Sequence, residues 1–313
     1  MNILVIGHPC FDVIQHPNGE ETESYGGIYY SVATLANLAD EHTSILPVFP
    51  IGENEYDRYI KELSRYPAVD TSGIYPHKGP SNKVCLVYAD TNTRVECSKN
   101  IFPPIPFPTV QRFLSRADGI LVNMISGFDL ELETLDYIRM AVRDRHVPIH
   151  LDVHSLTLGI DQEHRRSRRP LPVWRRWCFM IETVQMNEEE AAGLTPDHLD
   201  ERNLALQLLA LGGRGFIITR AERGATVYGQ EHKHVKRHDL PPASASKVVD
   251  PTGSGDVFGA AFSCRYFQTR DVLGAAAFAN EVAGLSIEFA GPGGLDEIRQ
   301  RYGMNQRVSD ATA

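Results

Sequence analysis

The chain has 313 residues, 42% of them hydrophobic and 23% charged, which excludes disordered, collagenous and disulfide-scaffold classes and suits one large domain with a smaller appendage. A net charge of −9 gives no whole-molecule field favourable to nucleic acid or an anionic membrane, so neither is expected as a partner. The cysteines at 10, 85, 97, 178 and 264 lack CxxC or zinc-ligand spacing and read as reduced thiols in a cytoplasm.

The opening MNILVIGHPCFDVI has no basic leader region, and its apolar run stops at Gly7, so it reads as a first β-strand rather than a signal peptide. Further short apolar runs at Ile45–Val48, Ile120–Ile125, Ile149–Val153 and Phe216–Thr219 resemble fully buried strands. Helix-period segments lie among them: Ser31–Ala39, Tyr56–Arg65, Leu130–Arg145, Glu188–Leu194 and Leu204–Leu211. Strands alternating with helices predict an α/β fold, a doubly wound and mainly parallel sheet flanked by helices. Two stretches break the rhythm, about 9–25 and 74–100, and their alternating patterns predict a small separate β-sheet. The proline-rich Ile101–Pro108 reads as a linker back to the main body.

The chemistry concentrates in Lys247-Val-Val-Asp-Pro-Thr-Gly-Ser-Gly-Asp256, followed by a helical pattern over Val257–Phe267. A strand, a glycine-rich turn and a helix N-terminus converge backbone N–H groups and a helix dipole on one point, so an anion is expected there. Asp256 reads either as a plain helix N-cap or, if the anion is a phosphoryl group in transfer, as the base that takes the proton of an attacking hydroxyl. In the second reading the N–H groups of Gly253, Ser254 and Gly255 stabilise the charge on the equatorial oxygens.

The segment Asp250-Pro-Thr-Gly-Ser-Gly-Asp256-Val-Phe-Gly-Ala-Ala-Phe262 resembles the C-terminal signature of the PfkB, or ribokinase-like, family of sugar and nucleoside kinases. The resemblance implies Asp256 as catalytic base and Gly253–Gly255 as anion hole. It extends to Gly26-Gly27 before a helix, where substrate would approach the backbone, and to Asp12, which would hold substrate hydroxyls from the end of the first strand. Ser31 stands where many sugar-kinase members place asparagine, which leaves substrate choice open between a sugar or polyol and a nucleoside stacked on Tyr29 or Tyr30.

Asn187-Glu-Glu-Glu190 resembles the family's NxxE motif, implying that Asn187 and Glu190 help place Mg²⁺ and ATP phosphate through water; its plainer reading is a capped acidic helix turn. Thr219–Gly224 resembles a nucleotide-binding turn, and Asn280 with Gly291-Pro-Gly-Gly294 resembles segments flanking adenine. The same resemblance implies Asp250 and Thr252 as ligands of a monovalent cation such as K⁺, a single kinase domain over 1–313, and a homodimer formed through the small sheet acting as a lid. The arginines from Arg165 to Arg169 and the histidines at 232, 234 and 238 read as solvated faces. A catalytically silent ligand-binding regulator on the same fold is the alternative from another class. The chain contains no GxxxxGK[ST], HExxH or GxSxG motif.

Overall fold

The computed structural model describes residues 1–15, 21–88, 94–232 and 234–303. Its body is a nine-stranded sheet. From one edge to the other the strands are His234–Leu240, Ala225–Glu231, Gly215–Thr219, Thr183–Asn187, Ile149–Asp152, Gly119–Asn123, Asn2–Ile6, Ser44–Gly52 and Ile74–His77. All neighbours pair parallel except the two pairings nearest the first edge, Gly215–Thr219 with Ala225–Glu231 and Ala225–Glu231 with His234–Leu240. The parallel strands are short and almost wholly buried, as a sheet covered on both faces requires.

The order runs outward in both directions from Asn2–Ile6, so the switch point lies between that strand and Gly119–Asn123. Ligand crevices in open α/β sheets form outside the carboxyl ends of strands at such a point. Asn123, Asp152 and Asn187 close the carboxyl ends of three strands on that side.

A second sheet holds Glu21–Gly27, Pro9–Gln15, Lys83–Tyr88 and Arg94–Lys99 in that order. Asp12 therefore sits on the small sheet, not at the end of the first strand. Ile74–His77 also departs from expectation, pairing with Phe49–Gly52 at the edge of the main sheet. Residues 16–20 and 89–93 of the expected small-sheet stretches lie outside the described residues.

The arginine-rich segment forms a hairpin, Leu158–Ile160 against Arg166–Arg168. It is not simply a solvated face. Ser98 N–H donates to the His164 carbonyl at 3.0 Å, and half-buried Arg166 donates from Nε to Ser98 Oγ at 2.5 Å and from Nη1 to Ser155 Oγ at 3.3 Å. The hairpin thus ties the small sheet to the body. His232 and His234 are exposed, and His238 pairs with Glu231 at 3.0 Å.

The helix that begins the glycine-rich motif spans Ser254–Thr269 and packs against Val272–Ser286, two segments rich in alanine and glycine that allow close approach. Phe262, fully buried on the first, stacks on Tyr266 with ring centroids 5.3 Å apart and lies 4.9 Å from His150 of the sheet. Phe262→Ala is expected to lower the unfolding free energy by about 3–5 kcal/mol, because the vacated volume adds to the lost transfer energy; guanidinium titration measures it.

Candidate active site

The turn before Ser254–Thr269 depends on Gly253, whose φ of 73° is a left-handed conformation that costs an L-residue side chain strain. Gly253 is the N-cap, which places Asp256 inside the first turn; Asp256 does not cap the helix. A Cβ on Gly255 would meet nothing within 4 Å, so that side of the turn is open. On the Gly253 side a Cβ would come within 2.5 Å of the Tyr30 ring.

Asp256 is 5% exposed and receives the Asn123 amide, Nδ2 to Oδ1, at 2.7 Å. The same Nδ2 lies 3.3 Å from Ser31 Oγ. Among the described residues no hydrogen bond reaches Asp256 Oδ2, and His154 Nε2 lies 3.9 Å from Oδ1. Burial pushes the Asp256 carboxyl from an ordinary 3.8 to about 7; Asn123 opposes this, while the charges of Asp12 and Glu190 add to it.

Asp12 is buried beside Gly26, where a Cβ would strike its carboxylate at 2.3 Å. Cys10 Sγ lies 3.4 Å from Asp12 Oδ1. Gly27, with φ of 59°, starts the helix Ile28–Leu38 that carries Ser31. Ser31 is linked to Asp256 through the Asn123 amide, the charge of Asp12 reaches Asp256, and Gly26 lies against Asp12.

Asn187 and Glu190 make a reciprocal capping box: Glu190 N–H donates to Asn187 Oδ1 at 2.9 Å and Asn187 N–H to Glu190 Oε2 at 2.8 Å. Asn187 Nδ2 also donates to Glu190 Oε1 at 2.8 Å. The plain capped-turn reading is therefore realised in the structure. Glu190 is nonetheless buried, which lifts its carboxyl to about 7 despite the Asn187 N–H and the charge of Arg168.

Asp152 is a fourth buried carboxyl, driven well above the usual range by burial and by the charges of Glu190 and Asp256. Gln185 Nε2 donates to Asp152 Oδ2 and to the Gly255 carbonyl, both at 3.0 Å, which fastens the glycine turn to the sheet. Sequence reasoning missed Asn123 and Gln185 as site groups. The available signal was a polar residue within or closing a buried parallel strand.

The remaining expected residues form a second zone. Asp250 accepts from Thr252 N–H at 2.9 Å and Gly291 N–H at 3.0 Å, joining the motif to the Gly291–Gly294 turn; burial opposes ionisation, yet these bonds hold its carboxyl below the usual range. Gly224, at φ 83°, lies where a Cβ would collide with the Leu240 carbonyl, and Thr219 pairs with Ala225. Arg220 and Arg223 both bond Glu188, which links the Thr219–Gly224 turn to the helix of Glu190. Asn280 Nδ2 donates to the Pro241 carbonyl at 2.8 Å, holding the segment that leads to the motif. Among the described residues no group of three or more His, Cys, Asp or Glu gathers closely enough to hold a metal. Mg²⁺ would fit only as an ion that keeps waters and phosphate oxygens, with Glu190 in support.

The raised Asp256 pKa has a consequence for stability. Between about pH 4 and 7 the folded state binds more protons at Asp256 than the unfolded state, so this group's contribution to stability falls as pH rises across that window. Asp256→Asn is expected to raise the unfolding midpoint above pH 7, with a gain on the order of a few kcal/mol that shrinks towards pH 4. Thermal melts of both proteins from pH 4 to 8 measure the difference; a gain that grows on acidification contradicts the burial of this carboxyl.

Residues 166–298 match the family described as pfkB family carbohydrate kinase. The cytidine kinase of Thermococcus kodakarensis is 26% identical over 275 residues, 86% of this chain and 90% of that protein. The ribokinase of Bacillus subtilis is 36% identical over 110 residues, 35% of this chain and 34% of that protein. Among solved structures, ribokinase from Thermotoga maritima superposes with a TM-score of 0.73 at 18% identity, covering 97% of this chain and 99% of its own. A pyrophosphate-dependent kinase of the ribokinase family, complexed with a pyrophosphate analog and myo-inositol, gives 0.75 at 16% identity over 95% of this chain and 100% of its own. Residues 166–298 thus match the pfkB family of carbohydrate kinases, and the chain shares the ribokinase fold along nearly its whole length.

Proposed function

We propose that this protein transfers the γ-phosphoryl group of ATP to a hydroxyl of a small sugar or polyol, with Asp256 as general base. The observation that carries the reading is a buried carboxyl, raised to about 7, one helical turn beyond a left-handed glycine turn, with Oδ1 held by Asn123. A base with a pKa near the working pH combines adequate ionisation with adequate proton affinity. The acceptor hydroxyl oxygen attacks the γ-phosphorus, the bond to the bridging oxygen breaks and ADP leaves, while the hydroxyl proton passes to Asp256 Oδ2.

The N–H groups of Gly253 and Gly255 act as the anion hole, assisted by the dipole of Ser254–Thr269, while the Ser254 N–H donates to the Pro251 carbonyl at 3.2 Å. Gln185, bonded to the Gly255 carbonyl, keeps the turn in place. Asp12 accepts hydrogen bonds from acceptor hydroxyls at the Gly26-Gly27 backbone, with Ser31 beside it. Thr219, Gly224 and Asn280 line the nucleotide zone. Mg²⁺, supported by Asn187 and Glu190, would neutralise phosphate charge when bound. Asp250 and Thr252, joined to the Gly291 turn, would serve a monovalent cation such as K⁺.

The small sheet serves as a lid over the acceptor, excluding water that would otherwise take the phosphoryl group. Its Glu21–Gly27 edge has no strand neighbour among the described residues, which suits pairing with a second copy. A homodimer is therefore expected in light scattering at micromolar concentration, and a monomer there rejects it. Five thiols without a disulfide suit a reducing, cytoplasmic compartment.

A nucleoside acceptor is the second reading, favoured by the similarity to the Thermococcus kodakarensis cytidine kinase over most of both chains. The tyrosines give it little help. Tyr29 donates to Glu62 at 2.8 Å and stacks on Tyr25 at 4.9 Å, which commits its ring to packing. A silent regulator has no use for a carboxyl buried at energetic cost in the glycine turn.

Coupled ADP release with Mg²⁺ and ATP across sugars, polyols and nucleosides identifies the acceptor. Asp256→Asn is expected to lower kcat by about 10² to 10⁴ with ATP binding retained. In the wild-type protein kcat/KM is expected to rise with pH to a plateau through about 7, as the coupled Asp256 and Glu190 lose protons. Near-normal turnover of Asp256→Asn removes Asp256 from the base role.

A further inference from the structure

Buried polar atoms in folded proteins nearly always have a hydrogen-bond partner, so an exception beside a candidate site points to something that binds there. Tyr30 is such an exception. It is the third residue of the helix Ile28–Leu38, only 3% exposed, and its hydroxyl has no partner among the described residues.

The Tyr30 ring lies against Gly253, whereas Gly255, two residues on, is open. The next residue, Ser31, meets the Asn123 amide that holds Asp256. The groups whose charge reaches the phenol are Asp12 and Cys10 from the small sheet, Asp250 from the segment before the turn, and Asp256 from the helix after it. Burial and then these groups, Asp12 foremost, keep the phenol protonated, and it is available as a donor.

Anionic groups are a poor match for this hydroxyl, since Asp12, the charge that bears on the phenol most strongly, repels them. A neutral ligand rich in hydroxyls is a good match, because it donates to the carboxylates and accepts from the phenol. We propose that the Tyr30 hydroxyl hydrogen-bonds the phosphoryl acceptor, making Tyr30 a specificity-determining residue that favours a small polyhydroxylated acceptor over one lacking a hydroxyl beside the reacting one. The inference rests on the reading of Asp256 as the base beside which the acceptor sits. A site built to bond a hydroxyl rejects analogues that lack it far more strongly than an apolar pocket rejects an added one.

Tyr30→Phe removes only the oxygen. Because that oxygen has no partner among the described residues, the substitution is expected to leave the unfolding midpoint unchanged or slightly higher. Calorimetric titration of myo-inositol, ribose and cytidine, carried out in the Asp256→Asn background so that no transfer occurs, is expected to show about tenfold weaker binding of the preferred acceptor when Tyr30→Phe is added. With Asp256 intact, KM for that acceptor rises about tenfold while kcat stays within about twofold.

Unchanged affinity and KM overturn the proposal. A lowered unfolding midpoint with unchanged KM also overturns it, by assigning the hydroxyl to the fold. Binding of none of the three probes rejects the acceptor class. Retained turnover in Asp256→Asn, by contrast, sinks the base assignment and leaves the Tyr30 binding comparison standing.

Discussion

Four carboxyl groups, Asp12, Asp152, Glu190 and Asp256, are buried within electrostatic reach of one another, and the surrounding structure has to supply what water no longer does. Removing a carboxylate from water is costly unless hydrogen bonds replace the solvent. Here the donors are mainly uncharged amides: Asn123 to Asp256, Gln185 to Asp152, and Asn187 to Glu190. Amides compensate less than an arginine would, so burial wins and Asp256 and Glu190 stand near 7. A cation locked onto Asp256 would have left a weak base.

The amides are held by their places in the main sheet. Asn123, Gln185 and Asn187 lie at or near the carboxyl ends of buried parallel strands, where pairing on both sides leaves their backbones little freedom. Gly259 of the helix after the glycine turn sits where a Cβ would come 3.2 Å from Gln185 Oε1 and 3.5 Å from Asp152 Oδ2. A larger residue there would push the helix, and Asp256 with it, away from the sheet.

The arginine hairpin shows how local pattern can mislead. A run of basic residues is usually a solvated face, and Arg165 conforms, pairing with Asp161 and Glu163 at the exposed tip. Arg166, one residue on, points the other way in the strand and spans from Ser98 of the small sheet to Ser155 of the body. Alternation along a two-residue repeat makes neighbours face opposite sides, and charge counting cannot see which side is the seam.

The main sheet was legible because buried parallel strands are written as short apolar runs, and the observed strands contain or overlap each run read from the sequence. Strand pairing was not. Ile74–His77 and Lys83–Tyr88 are both short strands near one another in sequence, yet the first extends the main sheet and the second joins the small one. Likewise, Gly253 to Asp256 announced an anion-binding turn because that backbone geometry demands glycine locally. What local spacing could not contain was the meeting of Asn123 with Asp256, 133 residues apart, or of Tyr30 with Gly253. By itself the sequence determined five strands of the main sheet, the helices that show clear periodicity and the glycine turn, since each follows from interactions within a few residues. The strand Thr183–Asn187 and the helix Val272–Ser286 emerged only in the structure. Only the tertiary structure decided which carboxyls are buried within electrostatic reach of one another, and therefore their protonation, because desolvation and charge coupling depend on distances through space.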